Sequence, residues 1–134
     1  MKMPELCIDD LLGVRFRNHG RSISEGFDCY GLAIEVSKRL GHTLIDLWYE
    51  RSCEDTFAAE ADGMYTKMSE MVEDTREQEL GNLILFADEA GRMIHIGVIL
   101  EKGMFIHAVP CGGVKVTRIE DYHRKNWKVY KWRQ

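Results

Sequence analysis

One cysteine and two histidines carry the chemistry that this sequence offers. Cys29 stands in Gly26-Phe27-Asp28-Cys29-Tyr30-Gly31. His95 stands in His95-Ile96-Gly97-Val98, and His107 in Phe105-Ile106-His107-Ala108. A thiol nucleophile, an imidazole base and a second group that orients the base form the usual constellation for acyl transfer through a thioester. A free cysteine is mostly thiol at neutral pH. A helix N-terminus and a neighbouring imidazolium both favour the thiolate and together bring its pKa to roughly 3.5–7.5. Cys29 falls where the first turn of a helix is expected. The free N–H groups of such a turn, that of Cys29 among them, can hold an oxyanion. Gly31 leaves room beside the thiol for a substrate backbone.

The elements that must position these groups can be read from the periodicity. A helix is expected over residues 28–40, with Asp28 as N-cap and Gly41 as its stop. Cys29, Leu32, Ala33, Val36 and Leu40 share its buried face, and Glu35, Lys38 and Arg39 its outer face. From residue 81 the period becomes two. Strands are expected over 83–87, 94–100, 104–109, 114–119 and 126–132. His95, Gly97 and Ile99 then share one face of their strand, and Phe105, His107 and Val109 one face of the next. A three-residue loop, Glu101-Lys102-Gly103 with Gly103 left-handed, sets His107 opposite Gly97 and diagonal to His95. A two-residue loop at Lys102-Gly103 sends the histidines to opposite faces. Gly97 removes the side chain that would crowd them.

The remaining segments are less pointed. Residues 4–12 read as a short helix closed by Gly13, and 14–26 as a polar loop with Arg15, Arg17 and Arg21. Residues 42–51 read as extended or irregular. Residues 50–80 hold ten acids against three bases, with Met64, Met68, Met71 and Val72 at helical spacing, which reads as one or two helices with a solvated charged face. Trp127, Tyr130 and Trp132 are expected to cover the core. Helices first and a strand meander afterwards indicate an α+β domain with a five-stranded antiparallel sheet.

Composition narrows the function classes. The chain has 134 residues, 45% hydrophobic and 30% charged, with a net charge of −4. One domain over 1–134 fits that length, and the charge gives no electrostatic case for nucleic acid. No run approaches the ~18 apolar residues of a membrane span. The first ten residues meet acids before any long apolar stretch, so no signal peptide is read and synthesis in the cytoplasm is expected. Cys7, Cys29, Cys53 and Cys111 form no close pair. They are expected to be reduced, with Cys7, Cys53 and Cys111 as small buried hydrophobes. A zinc site from Cys29, His95 and His107 lacks a close ligand pair, so no metal or cofactor is expected. His19, His42 and His123 fall in polar surroundings and read as solvated.

In combination the chain resembles the NlpC-type family of papain-like cysteine peptidases, bacterial and phage enzymes that cut peptidoglycan stem peptides. The resemblance covers residues 11–132. It rests on Gly26-x-Asp28-Cys29-x-Gly31, on Gly81-Asn82 before the first strand of the meander, and on the two histidine motifs twelve residues apart. It implies Cys29 as nucleophile, His95 as general base and His107 as the group orienting His95. Asp28, Tyr30, Gly31 and Gly97 fall around them at substrate-binding positions. It implies hydrolysis of a γ-D-glutamyl bond to diaminopimelate or lysine through a thioester. Tyr30 stands where the family often has serine, and Phe16-Arg17-Asn18-His19 where it commonly has an assisting tyrosine. Asp-Cys-Tyr-Gly is similar to the phage tail-associated branch, which implies phage tail proteins as partners and a virion tail as location. The alternatives are a non-enzymatic tail-assembly or wall-binding protein, and an amidase or acyltransferase using the same site.

Overall fold

The computed structural model describes residues 6–47 and 67–133. In chain order the elements are β1 (Arg21–Ser22), β2 (Gly26–Phe27), α1 (Cys29–Arg39), β3 (Val72–Thr75), β4 (Leu83–Ala87), β5 (Met93–Glu101), β6 (Met104–Val109), β7 (Gly113–Arg118), a 3-10 turn (Ile119–Asp121) and β8 (Trp127–Trp132). β1 and β2 form a small hairpin. The other strands form one six-stranded antiparallel sheet in the order β3-β8-β4-β5-β6-β7.

α1 begins where Asp28 caps it, the carboxylate accepting from Gly31 N at 2.7 Å. Lys38 and Arg39 in its last turn suit the negative end of the helix dipole. Its buried side, with Leu32, Ala33 and Val36, packs on Leu83, Leu85, Ile96, Val98, Ile106 and Ala108 of the sheet. A second core lies on the opposite face. Ile84, Phe86, Ile99, Phe105 and Val129 are covered there by Ile119 and Tyr122, with Trp127 at the margin. Each such large apolar side chain contributes about 1.5–3 kcal/mol relative to exposure.

Several expectations are corrected. Among the described residues the sheet has six strands rather than five, and α1 packs on it rather than a set of N-terminal helices. The added strand is β3, inside the segment read as helical. Met68 and Val72 are both buried, as helical spacing predicts, but a turn through Met71 separates them and the chain continues as a strand. β3 is an edge strand paired only to β8, so its acids remain outside the core, where Glu73 meets Lys131 and Arg133. Residues 48–66, with Met64, lie outside the described residues.

The N-terminal helix also fails to form among the described residues. Asp9–Gly13 is a turn, because the chain there turns to β7: Gly13 N donates to Val114 O and Val114 N to Val14 O. The loop over 14–26 contains the β1–β2 hairpin. Cys7 and Cys111 are exposed rather than buried, and Cys53 lies outside the described residues.

Candidate active site

Cys29 is the first residue of α1 and its thiol is inside the protein, 1% exposed. Asp28 ahead of it is fully buried and holds three groups at once. Its carboxylate accepts from Gly31 N, from His19 N at 2.8 Å and from Arg21 Nη1 at 3.1 Å. This ties the β1 hairpin to the helix start. Gly31 is part of the same tie. A Cβ there would stand 2.1 Å from Gly20 O and 2.7 Å from Arg21 Nη1, so the hairpin backbone occupies the space beside Gly31. Tyr30 is buried and donates its hydroxyl to Ile45 O. Burial, then the charge of Asp46, pushes its phenol upward.

The histidines come from the sheet. β5 and β6 are joined by a two-residue turn, Lys102-Gly103, between the paired Glu101 and Met104. By itself that turn would place the histidines on opposite faces. The register shifts between Ile99 and Glu101, one extra β5 residue is accommodated at Leu100, and the pairing returns to Ile99↔Phe105 and Val98↔Ile106. Continued one residue, this alignment sets Gly97 against His107. A Cβ on Gly97 would lie 2.7 Å from Phe105 Cδ2, 3.0 Å from Ile106 O and 3.4 Å from His107 Cβ. A side chain there would displace the Phe105 ring and crowd the base of His107.

The two imidazoles meet. His95 Nε2 and His107 Nδ1 are 2.7 Å apart, and His107 Nε2 lies 2.8 Å from Thr117 Oγ1 on β7. Rings pack around this chain: Phe86 and Tyr122 against His95, Phe105 and Tyr122 against His107. Burial, then the charges of His95, Lys115 and His123, lowers His107 to about 2, so its ring is neutral at physiological pH.

Cys29 reaches β5 from the α1 side. β5 pairs with β6 from Glu101 back to Val98. It is at Ile96, the residue after His95, that the sulfur meets the strand. The backbone N–H groups of Ile96, Tyr30 and Cys29 itself favour the thiolate. They are outweighed by burial and by the charge of Asp28, which push the thiol up to about 12. The resting group is therefore a thiol.

A cleft of about 440 Å³ opens on the histidine side. Phe16, His95, Lys115, Thr117, Tyr122 and His123 line it. Phe16 supplies a phenyl ring in the stretch where a tyrosine was sought, and bridges to Phe27 ahead of the cysteine. His19 and His123 are exposed, but His42 is half-buried and stacks on Trp132 at 4.7 Å. Among the described residues, no group of three or more His, Cys, Asp or Glu side chains is placed to hold a metal ion, and no helix is long and apolar enough to cross a membrane.

Sequence reasoning missed Thr117 and Tyr122. Thr117 pairs with Phe105 and so shares the face of His107. Strand alternation carried one strand further would have found it. Tyr122 follows a 3-10 turn and no period announces it.

The family model of NlpC/P60 matches residues 13–133. The chain belongs to the NlpC/P60 family. Solved structures of this fold agree. The NlpC/p60 domain of the peptidoglycan hydrolase SagA is 21% identical with a TM-score of 0.58, over 89% of this chain and 88% of that one. An NlpC/P60 family protein from Bacillus cereus is 20% identical with a TM-score of 0.59, over 96% of this chain and 41% of that one. NlpC2 from Trichomonas vaginalis is 21% identical with a TM-score of 0.58, over 95% and 44%. This NlpC/P60 chain thus spans less than half the length of the last two. A search of curated protein sequences finds no match.

Proposed function

We propose that this NlpC/P60 protein is a cysteine endopeptidase that hydrolyses amide bonds in peptidoglycan stem peptides, between γ-D-glutamate and the diamino acid. One observation carries the reading. The hydrogen-bonded chain Thr117–His107–His95 ends one residue along β5 from the point where the Cys29 sulfur meets that strand.

In this reading Cys29 is the nucleophile, His95 the base and His107 the group that orients the base. His95 uses Nε2 toward His107, so Nδ1 is the nitrogen for the thiol. Nδ1 takes the proton as sulfur adds to the carbonyl, then returns it to the leaving amine, leaving the thioester. It next takes a proton from the water that attacks the thioester and returns it to the Cys29 sulfur as the C–S bond breaks and the acid leaves. The first-turn N–H groups of α1 supply oxyanion donors. Gly97 gives the imidazoles room, while Asp28 and Gly31 hold the nucleophile turn and Tyr30 anchors its helix. SagA is named as a peptidoglycan hydrolase, which supports the substrate class. Asp28-Cys29-Tyr30-Gly31 supports a place in the tail-associated branch, acting from a virion.

Burial of Cys29 favours a second reading, a non-enzymatic wall-binding or tail-assembly protein that keeps the fold. Mass spectrometry of a defined stem peptide separates the two. Wild type is expected to release the fragment ending in γ-D-glutamate and Cys29→Ala to release none. Intact peptide in both samples supports the second reading.

A further inference from the structure

We infer that Thr117 is a positioning residue of the same site: its hydroxyl accepts the His107 Nε2–H and thereby selects the proton arrangement in which His95 offers Nδ1 as a base. The inference rests on the reading of His95 as base, but its test does not require turnover.

Two proton arrangements fit the observed atoms. The contacts are His95 Nε2 to His107 Nδ1 at 2.7 Å and His107 Nε2 to Thr117 Oγ1 at 2.8 Å. A neutral imidazole has one donor and one acceptor nitrogen. In the first arrangement His95 Nε2–H donates to His107 Nδ1, and His107 Nε2–H donates to Thr117 Oγ1. His95 Nδ1 then carries a lone pair. In the second every donor is reversed. Thr117 donates to His107 Nε2, His107 Nδ1–H donates to His95 Nε2, and His95 carries its proton on Nδ1, where no base remains.

Once His95 is an imidazolium, both its nitrogens are donors. His107 Nδ1 must then accept, and the only neutral form of His107 that can do so has its proton on Nε2. That proton lies in a buried ring and needs an acceptor. Thr117 Oγ1 is placed to be that acceptor. Removing it leaves the Nε2–H unpaired in the one arrangement that supports the imidazolium, so His95 becomes a weaker base.

Other charges bear on the pair and remain the same in all variants. They are Lys115 from β7, and Asp121 and His123 from the turn after β7, beside the uncharged phenol of Tyr122. Phe86 and Phe105, from β4 and β6, contribute no charge.

The experiment is 15N-detected NMR of the histidine side chains across pH, in wild type, Thr117→Val and Thr117→Ser. Wild type is expected to show His107 protonated at Nε2. In Thr117→Val, His107 moves toward the Nδ1–H form and the His95 pKa falls by half a unit or more. Thr117→Ser restores both. A merely structural role would change fold signals without changing the tautomer, and amide dispersion reports the fold separately. Should the valine variant not fold, the wild-type tautomer and the serine variant still decide. His107 protonated at Nδ1 in wild type overturns the inference, as does a folded valine variant with unchanged tautomer and His95 pKa. A protein with the expected tautomers and no hydrolytic activity overturns the proposed function and leaves the role of Thr117 standing.

Discussion

His107 is fully buried and neutral, and this makes one residue a source of pH dependence for the whole fold. Its pKa falls from 6.5 in the free side chain to about 2 in the protein, chiefly by burial. The unfolded chain takes up a proton at this position below about pH 6.5, while the folded chain does not until far lower. The stability linked to it is therefore present above that pH and lost as pH falls toward the folded value. Between pH 7 and pH 5 the loss from this group is about 2 kcal/mol. Urea denaturation at the two pH values checks this. His107→Gln, which does not titrate, is expected to lose that much less between them. An equal loss in wild type and variant would show that His107 is not the source. Cys29 runs the other way. Its raised pKa keeps the thiol form, so under the proposed mechanism any attack requires proton removal by His95. That His95 and His107 stand side by side could be read from their spacing. The buried state of the thiol could not, because burial depends on what the hairpin and loops lay over it.

At the scale of elements, the start of α1 and the β5–β6 register carry the site. Asp28 accepts three hydrogen bonds inside the protein, one of them from Arg21. Asp28→Ala would leave two backbone donors without this acceptor and remove one partner of Arg21, whose guanidinium keeps Asp46 and Gly20 O. A loss of about 3 kcal/mol is expected in thermal or urea melts, with Asp28→Asn losing clearly less. A loss under 1 kcal/mol for alanine would mean that the hairpin is not anchored there. The helix was legible because cap, apolar spacing and stop agree at Asp28, Val36 and Gly41. The meander strands were legible because they alternate. β3 was not, since Glu73 and Asp74 are poor strand formers and only pairing with β8 holds them extended. The register was legible in outcome but not in cause. Gly97 and the histidine spacing demand an even alignment, and the bulge at Leu100 that delivers it has no sequence signal of its own.

At the scale of the whole molecule, the sheet separates two cores, and the candidate site draws on residues from both of its faces. Cys29 arrives from the α1 side, the histidines from the side of Tyr122 and Phe105. The antiparallel run from β4 to β7 could be read from period alone, but the return of β8 to pair with β4 rather than β7 could not. How one helix and one cleft share a strand from opposite faces could not, because that depends on long-range placement. Two further thiols serve as internal comparisons, since Cys7 and Cys111 are both exposed and Cys111 lines the same cleft as His95. The most direct test of Cys29 and His95 as a nucleophile–base pair is peptide mapping by mass spectrometry after brief exposure to a γ-D-glutamyl chloromethyl ketone. The account predicts one adduct, on Cys29, formed quickly in wild type and slowly in His95→Ala. Adducts on Cys7 and Cys111 with Cys29 unmodified, or labelling of Cys29 at the same rate in the variant, would contradict it.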